Sequence, residues 1–148
     1  MKNLALIVLM GVCASAFAQE APTPAPTVSD SPLARSHALE LAGAFANDGY
    51  KVRDGFWSGT LELGKPLLLE VNLFAGNEYW FSGAATNPAR KIAVKVFDAK
   101  GKPVETELYA ESATAAAGFA PVMSGPYLVQ IELMDGEKAP FCLVYSYK

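Results

Sequence analysis

The chain has 148 residues, 51% of them hydrophobic and 18% charged, which fits one ordinary domain. Its formal net charge of −3 leaves no basic footprint for nucleic acid. One histidine and two cysteines are too few soft ligands for a zinc or iron–sulfur centre, so no metal and no cofactor is expected.

In chain order, Lys2 and the apolar run Leu4–Val12 lead to small residues at Ala16 and Ala18. A short apolar run before an Ala-x-Ala site predicts a secretory signal peptide over residues 1–18, too short to span a bilayer as a helix. Lipidation at Cys13 is the competing reading, and Val12 is the wrong residue to precede it. Once the leader is cleaved, Cys142 is the sole cysteine, so no internal disulfide is expected. Residues 19–30 are rich in proline and small polar residues and predict a semi-rigid spacer.

A single domain is then expected over residues 31–148. Ser31 followed by Pro32 is a helix start, and Asn47–Asp48–Gly49 a stop. Leu33, Ala34, Ala38, Leu41, Ala42 and Phe45 recur at three- and four-residue steps, predicting an amphipathic helix over about 31–47. Such a stripe is expected to dock on the domain's own core.

From Phe56 the period becomes two. Leu67, Leu69, Val71 and Leu73 alternate with Leu68, Glu70 and Asn72, and Tyr127, Val129, Ile131 and Leu133 alternate with Leu128, Gln130 and Glu132. Residues 57–63, 92–96 and 141–147 keep the same rhythm, whereas Ala110–Phe119 is ambiguous between strand and short helix. Alternation arises because successive strand side chains point to opposite faces. Ala75–Gly76–Asn77, Asp98–Gly101 and Asp135–Gly136 are read as hairpin turns. The expected fold class is all-β, a jelly-roll-like antiparallel sandwich of seven to eight strands preceded by one helix.

Three stretches carry a resemblance: Leu73–Phe81 with its Ala–Gly turn and aromatic exit, Val94–Gly101, and Ser124–Ile131, closed by Tyr145. Over residues 56–147 the chain resembles the bacterial pre-peptidase C-terminal domain. The resemblance implies a β-sandwich with a non-catalytic binding or accessory role. This chain is expected to depart from the family in having a helix before the sandwich and no attached catalytic domain. It also lacks a clustered acidic run, so the calcium seen in some relatives is not expected here.

His37 is the one group suited to acid–base work near neutral pH, but without a second histidine a surface or boundary place on the helix is the better reading. Cys142, between Phe141 and Leu143, reads as a buried thiol. Glu62 with Glu70, or Glu105 with Glu107, could pair carboxylates for hydrolysis, but outward charges on strands are ordinarily a solvated face. Aromatics are the suggestive feature, with Trp80 foremost. If Leu73 pairs with Tyr79, Trp80 points outward with Glu78, where the helix is expected to cover it unless it is left as a contact platform; if Phe74 does, Trp80 turns inward. The candidate ligand-binding residues are Trp80, Glu78, Asn72 and Glu70.

The expectation for function is therefore an exported, non-catalytic binding module of the bacterial envelope, periplasmic or extracellular, contacting a protein partner. The alternative is a polysaccharide partner stacked on the aromatics around Trp80. Neither nucleic-acid binding nor stable membrane insertion after leader cleavage is expected.

Overall fold

The computed structural model describes residues 31–148. The expected signal peptide, Cys13 and the proline-rich spacer lie outside them. Helix α1 (Pro32–Gly43) begins where expected, with Ser31 Oγ accepting from Ala34 N at 3.2 Å. It stops earlier than expected, and a short 3₁₀ turn follows at Ala46–Asp48. Nine strands come next: β1 (Lys51–Val52), β2 (Trp57–Leu61), β3 (Leu67–Leu73), β4 (Tyr79–Ala85), β5 (Ala89–Asp98), β6 (Glu107–Glu111), β7 (Thr114–Phe119), β8 (Gly125–Gly136) and β9 (Ala139–Tyr147). The ambiguous alanine-rich stretch is thus the end of β6, the turn after it and all of β7.

The strands form two antiparallel sheets. One runs β1-β9-β4-β7-β6, with β2 also on β9, and the other β3-β8-β5. From β2 to β5 each strand joins the sheet opposite its predecessor, which is the jelly-roll connection. The second sheet lacks a full fourth strand. Its β5 edge is met instead by a short return of the chain, with Pro103 bridged to Phe97 and Val104 N donating to Val96 O at 3.1 Å, and by Ser112 O, which accepts from Ile92 N at 3.4 Å.

These crossings correct the hairpin expectations. β3 pairs with β8 and β4 with β7 and β9, so neither Leu73 nor Phe74 pairs with Tyr79. Ala75–Gly76–Asn77 turns the chain from one sheet to the other, and Asp135–Gly136 does the same between β8 and β9. Of the three predicted hairpin turns, Asp98–Gly101 alone folds the chain back on its own strand, with Asp98 N donating to Lys102 O at 2.9 Å.

Between the sheets lies one apolar core that includes Phe81, Phe141, Leu61, Ile92, Ile131 and Leu143, all fully buried. Each contributes on the order of 1.5–3 kcal/mol on leaving water. Gly83 lies at the centre of β4, where an added Cβ would sit 2.9 Å from Ile131 Cδ1. α1 lies outside this core. Its Ala34, Ala38 and Ala42 pack against Ala84, Cys142 and Val144 on the outer face of the larger sheet, whereas Leu33 of the predicted stripe faces solvent.

Candidate functional site

Along β4, Tyr79 and Phe81 point into the core while Trp80, Ser82 and Ala84 face outward. Trp80 stands opposite Gly118 of β7 and Ser146 of β9. Because Gly118 has no side chain, the indole lies down on it: an added Cβ would come 2.9 Å from Trp80 Cζ2. Phe45, two residues past the end of α1, covers the other ring face at 4.1 Å between centroids and 8° between planes. Trp80 points outward, yet it is 7% exposed and held on both faces. A sugar ring stacks on a vacant aromatic face, which this indole does not offer.

Glu78 is near it. Its Oε2 accepts from Tyr50 Oη at 2.7 Å and lies 3.3 Å from Lys148 Nζ. The Tyr50 hydrogen bond, then Lys148, holds the Glu78 carboxyl below its ordinary pKa. Desolvation, followed by Glu78, raises the Tyr50 hydroxyl. The main chains of Glu78 and Lys148 also exchange hydrogen bonds of 3.0 and 3.1 Å, tying the C-terminus to this corner.

Glu70 and Asn72 are not with Trp80. They face outward from β3 in the smaller sheet, which overturns the four-residue grouping. The physical reason is the sheet crossing at Gly76: β3 and β4 belong to opposite layers, so their outward faces look in opposite directions. Glu70 and Asn72 instead line a cleft of about 460 Å³ between β3 and residues 53–57, with Arg53, Trp57 and Tyr145. A neighbouring cavity of about 300 Å³ shares Arg53, Asn72 and Phe74 and adds Asn77. Trp57 stacks on Tyr145 at 5.7 Å, and Arg53 donates to the Tyr145 hydroxyl. Tyr79 Oη accepts from Phe74 N at 3.0 Å and from Asn77 Nδ2 at 3.2 Å, which pins the corner between the sheets.

The largest hollow, about 710 Å³, opens at the end of the sandwich where Glu78 and Trp80 lie. Its floor includes Gly118, Phe119 and Tyr127, the last two rings meeting edge to face at 5.1 Å. Val122 and Met123 form an apolar rim, 92% and 72% exposed. Tyr127 Oη donates to Met123 O at 2.7 Å, and Ala75 N to Ser124 Oγ at 2.9 Å, so the rim loop is braced at both sides. Glu78, Asp98, Glu105 and Glu107 face the groove, with Lys102 as its one cation among the described residues. Asp98 Oδ1 is occupied by the backbone N–H groups of Lys100 and Lys102, both at 2.9 Å. The Glu105 and Glu107 carboxylates make no ion pair or hydrogen bond with a described residue. Sequence reasoning overlooked the rim, although an apolar Val122–Met123 pair directly before the Ser124–Gly125–Pro126 turn was a readable signal.

His37 sits half-buried on α1, and Cys142 is fully buried beneath it. Glu62 is held by Lys65 and Lys138 at 2.6 and 2.7 Å, away from Glu70. Among the described residues no group of three or more His, Cys, Asp or Glu side chains is placed to hold a metal ion, and no helix is long and apolar enough to cross a membrane. No family model matches the chain, and no curated protein matches it in sequence.

Proposed function

We propose that the protein is an exported, non-catalytic binding module of the bacterial envelope, akin to pre-peptidase C-terminal domains, that contacts a protein partner through the groove at the Glu78 end of the sandwich. The observation that carries this reading is the rim: Val122 and Met123 stand in solvent beside an apolar floor, on a loop braced by two hydrogen bonds. Exposed apolar side chains on a fixed loop spare a partner the cost of ordering the backbone and leave only side-chain freedom to be lost. The test is a photoreactive residue in place of Val122 in the living cell. The expected outcome is an adduct with a second protein that is not formed from Met134, an exposed residue at the far end of β8. Equal labelling from both positions, or none, would overturn the reading.

A second reading, carbohydrate binding, is favoured by a different place than the aromatic first considered. The Arg53–Asn72 cleft combines Trp57, backed by the buried Tyr145, with the planar polar groups of Arg53, Asn72 and Asn77, the mixture that sugar hydroxyls and ring faces require. Trp80→Phe keeps the stack on Phe45 and leaves Trp57 as the sole tryptophan reporter. Under this reading, titrating that variant with soluble envelope polysaccharides produces a saturable fluorescence change that Asn72→Ala removes. A flat titration across the panel counts against it.

A further inference from the structure

Resting on the protein-partner reading, we propose that β6 receives an extended, basic segment of that partner as an additional strand, with alternate apolar side chains of the segment covering Leu108. β6 pairs with β7 alone and ends the larger sheet, so the backbone groups along its other side have no strand partner among the described residues. Such an edge is a template for another chain, and proteins ordinarily blunt it with shortness, charge, proline, a bulge or a covering element. β6 is short and its Glu107 and Glu111 repel an acidic strand, but it has no proline, lysine or bulge and nothing that repels a basic one. Its register with β7 is unbroken from Glu107 to Glu111, and α1 packs over β4, β9 and β7 instead.

The side chains say what the added strand would carry. Glu107 lies opposite Gly118, beneath the indole, so Glu107, Tyr109 and Glu111 share the outer face and Leu108 and Ala110 the inner. Leu108 faces inward yet is 65% exposed, because the smaller sheet has already ended at β5 and its short Pro103–Val104 flap. An inward leucine with no layer opposite is an apolar surface awaiting a cover. On the outer face Glu107 and Glu111 flank the strand, with Glu105 just before it, and neither the Glu105 nor the Glu107 carboxylate has a partner among the described residues.

That charge selects the occupant. A second copy of β6 pairing antiparallel about Tyr109 would set Glu107 opposite Glu111 twice, and like charges directly opposite destabilise a sheet. A strand with Lys or Arg on the outer face and apolar residues on the inner one meets both faces favourably. Main-chain hydrogen bonds would supply affinity and this alternation specificity.

The probe is a capped heptapeptide of alternating lysine and valine, added to the full chain while backbone amide exchange is followed by NMR. The expected result is at least tenfold slower exchange at those β6 amides that exchange freely without peptide, with β3 amides unchanged and the effect lost in Leu108→Lys. A peptide with proline for each valine keeps the charge but cannot pair, and it is expected to give no protection. Protection by the proline peptide, protection of β3 instead, or none at saturating peptide overturns the proposal. Protection of β6 without peptide that grows with protein concentration also overturns it, in favour of a second copy. If the Val122 adduct forms while the β6 amides stay unprotected, strand addition fails and the protein-partner reading stands. Absence of the adduct removes the reading itself.

Discussion

Trp80 shows how one missing side chain decides what an aromatic can do. Its ring needs the bare backbone of Gly118 beneath it and Phe45 above it. With a valine at 118 the ring cannot stay down, and Phe45 prevents it from rising. Gly118→Val is therefore expected to cost about 1–3 kcal/mol, the usual cost of overpacking, despite valine's better strand propensity. The check is a urea denaturation midpoint together with tryptophan emission in a Trp57→Phe background, where the freed indole should shift to the red. Unchanged emission would mean that the glycine does not seat the ring. The outward direction of Trp80 was one of two readable alternatives, and a cover from the N-terminal helix was expected for it. The cover comes from Phe45, in the turn just after α1 and 35 residues away along the chain, and no local pattern names that residue.

At the scale of elements, the strand faces were legible because alternation is local. Val71 and Leu73 point inward and Glu70 and Asn72 outward, as period two requires. The destination of each strand was not legible, since a glycine turn says that the chain reverses and not which layer it enters. That one ambiguity split the candidate site, putting Glu70 and Asn72 beside Trp57 rather than Trp80. The helix shows a related limit. Its alanines, not its leucines, make the contact, because a close helix-on-sheet approach selects small side chains. The same dry layer buries Ser82 Oγ and Ser146 Oγ with no hydrogen-bond partner among the described residues. A hydroxyl removed from water without replacement is a net cost. Ser82→Ala is thus expected to leave the thermal midpoint unchanged or raise stability by up to about 1 kcal/mol, and a clear loss would reveal a bond that this packing hides.

The whole molecule is held by connections that pass between layers, and Glu62 ties two of them together. It lies between β2 and β3, accepts from Lys65 in the same turn, and also pairs with Lys138 in the turn between β8 and β9. Both turns cross from one sheet to the other. The hydrogen bond from Lys138, then that from Lys65, lowers the Glu62 carboxyl from 4.5 to about 2. A carboxyl depressed in the folded state contributes stability that is fully present above its unfolded value and is lost as pH falls through the folded one. The difference in urea midpoint between the native chain and Glu62→Gln should therefore be constant above pH 4.5 and close between there and about 2. Because both lysines are exposed and Glu62 is only half-buried, the difference should also shrink in high salt. An NMR titration of the Glu62 carboxyl gives the independent check, since Lys138→Met should raise its midpoint more than Lys65→Met does. If the two variants move it equally, the clasp between the crossings is no stronger than the local turn; if Lys138→Met leaves it unmoved, Glu62 serves its own turn alone.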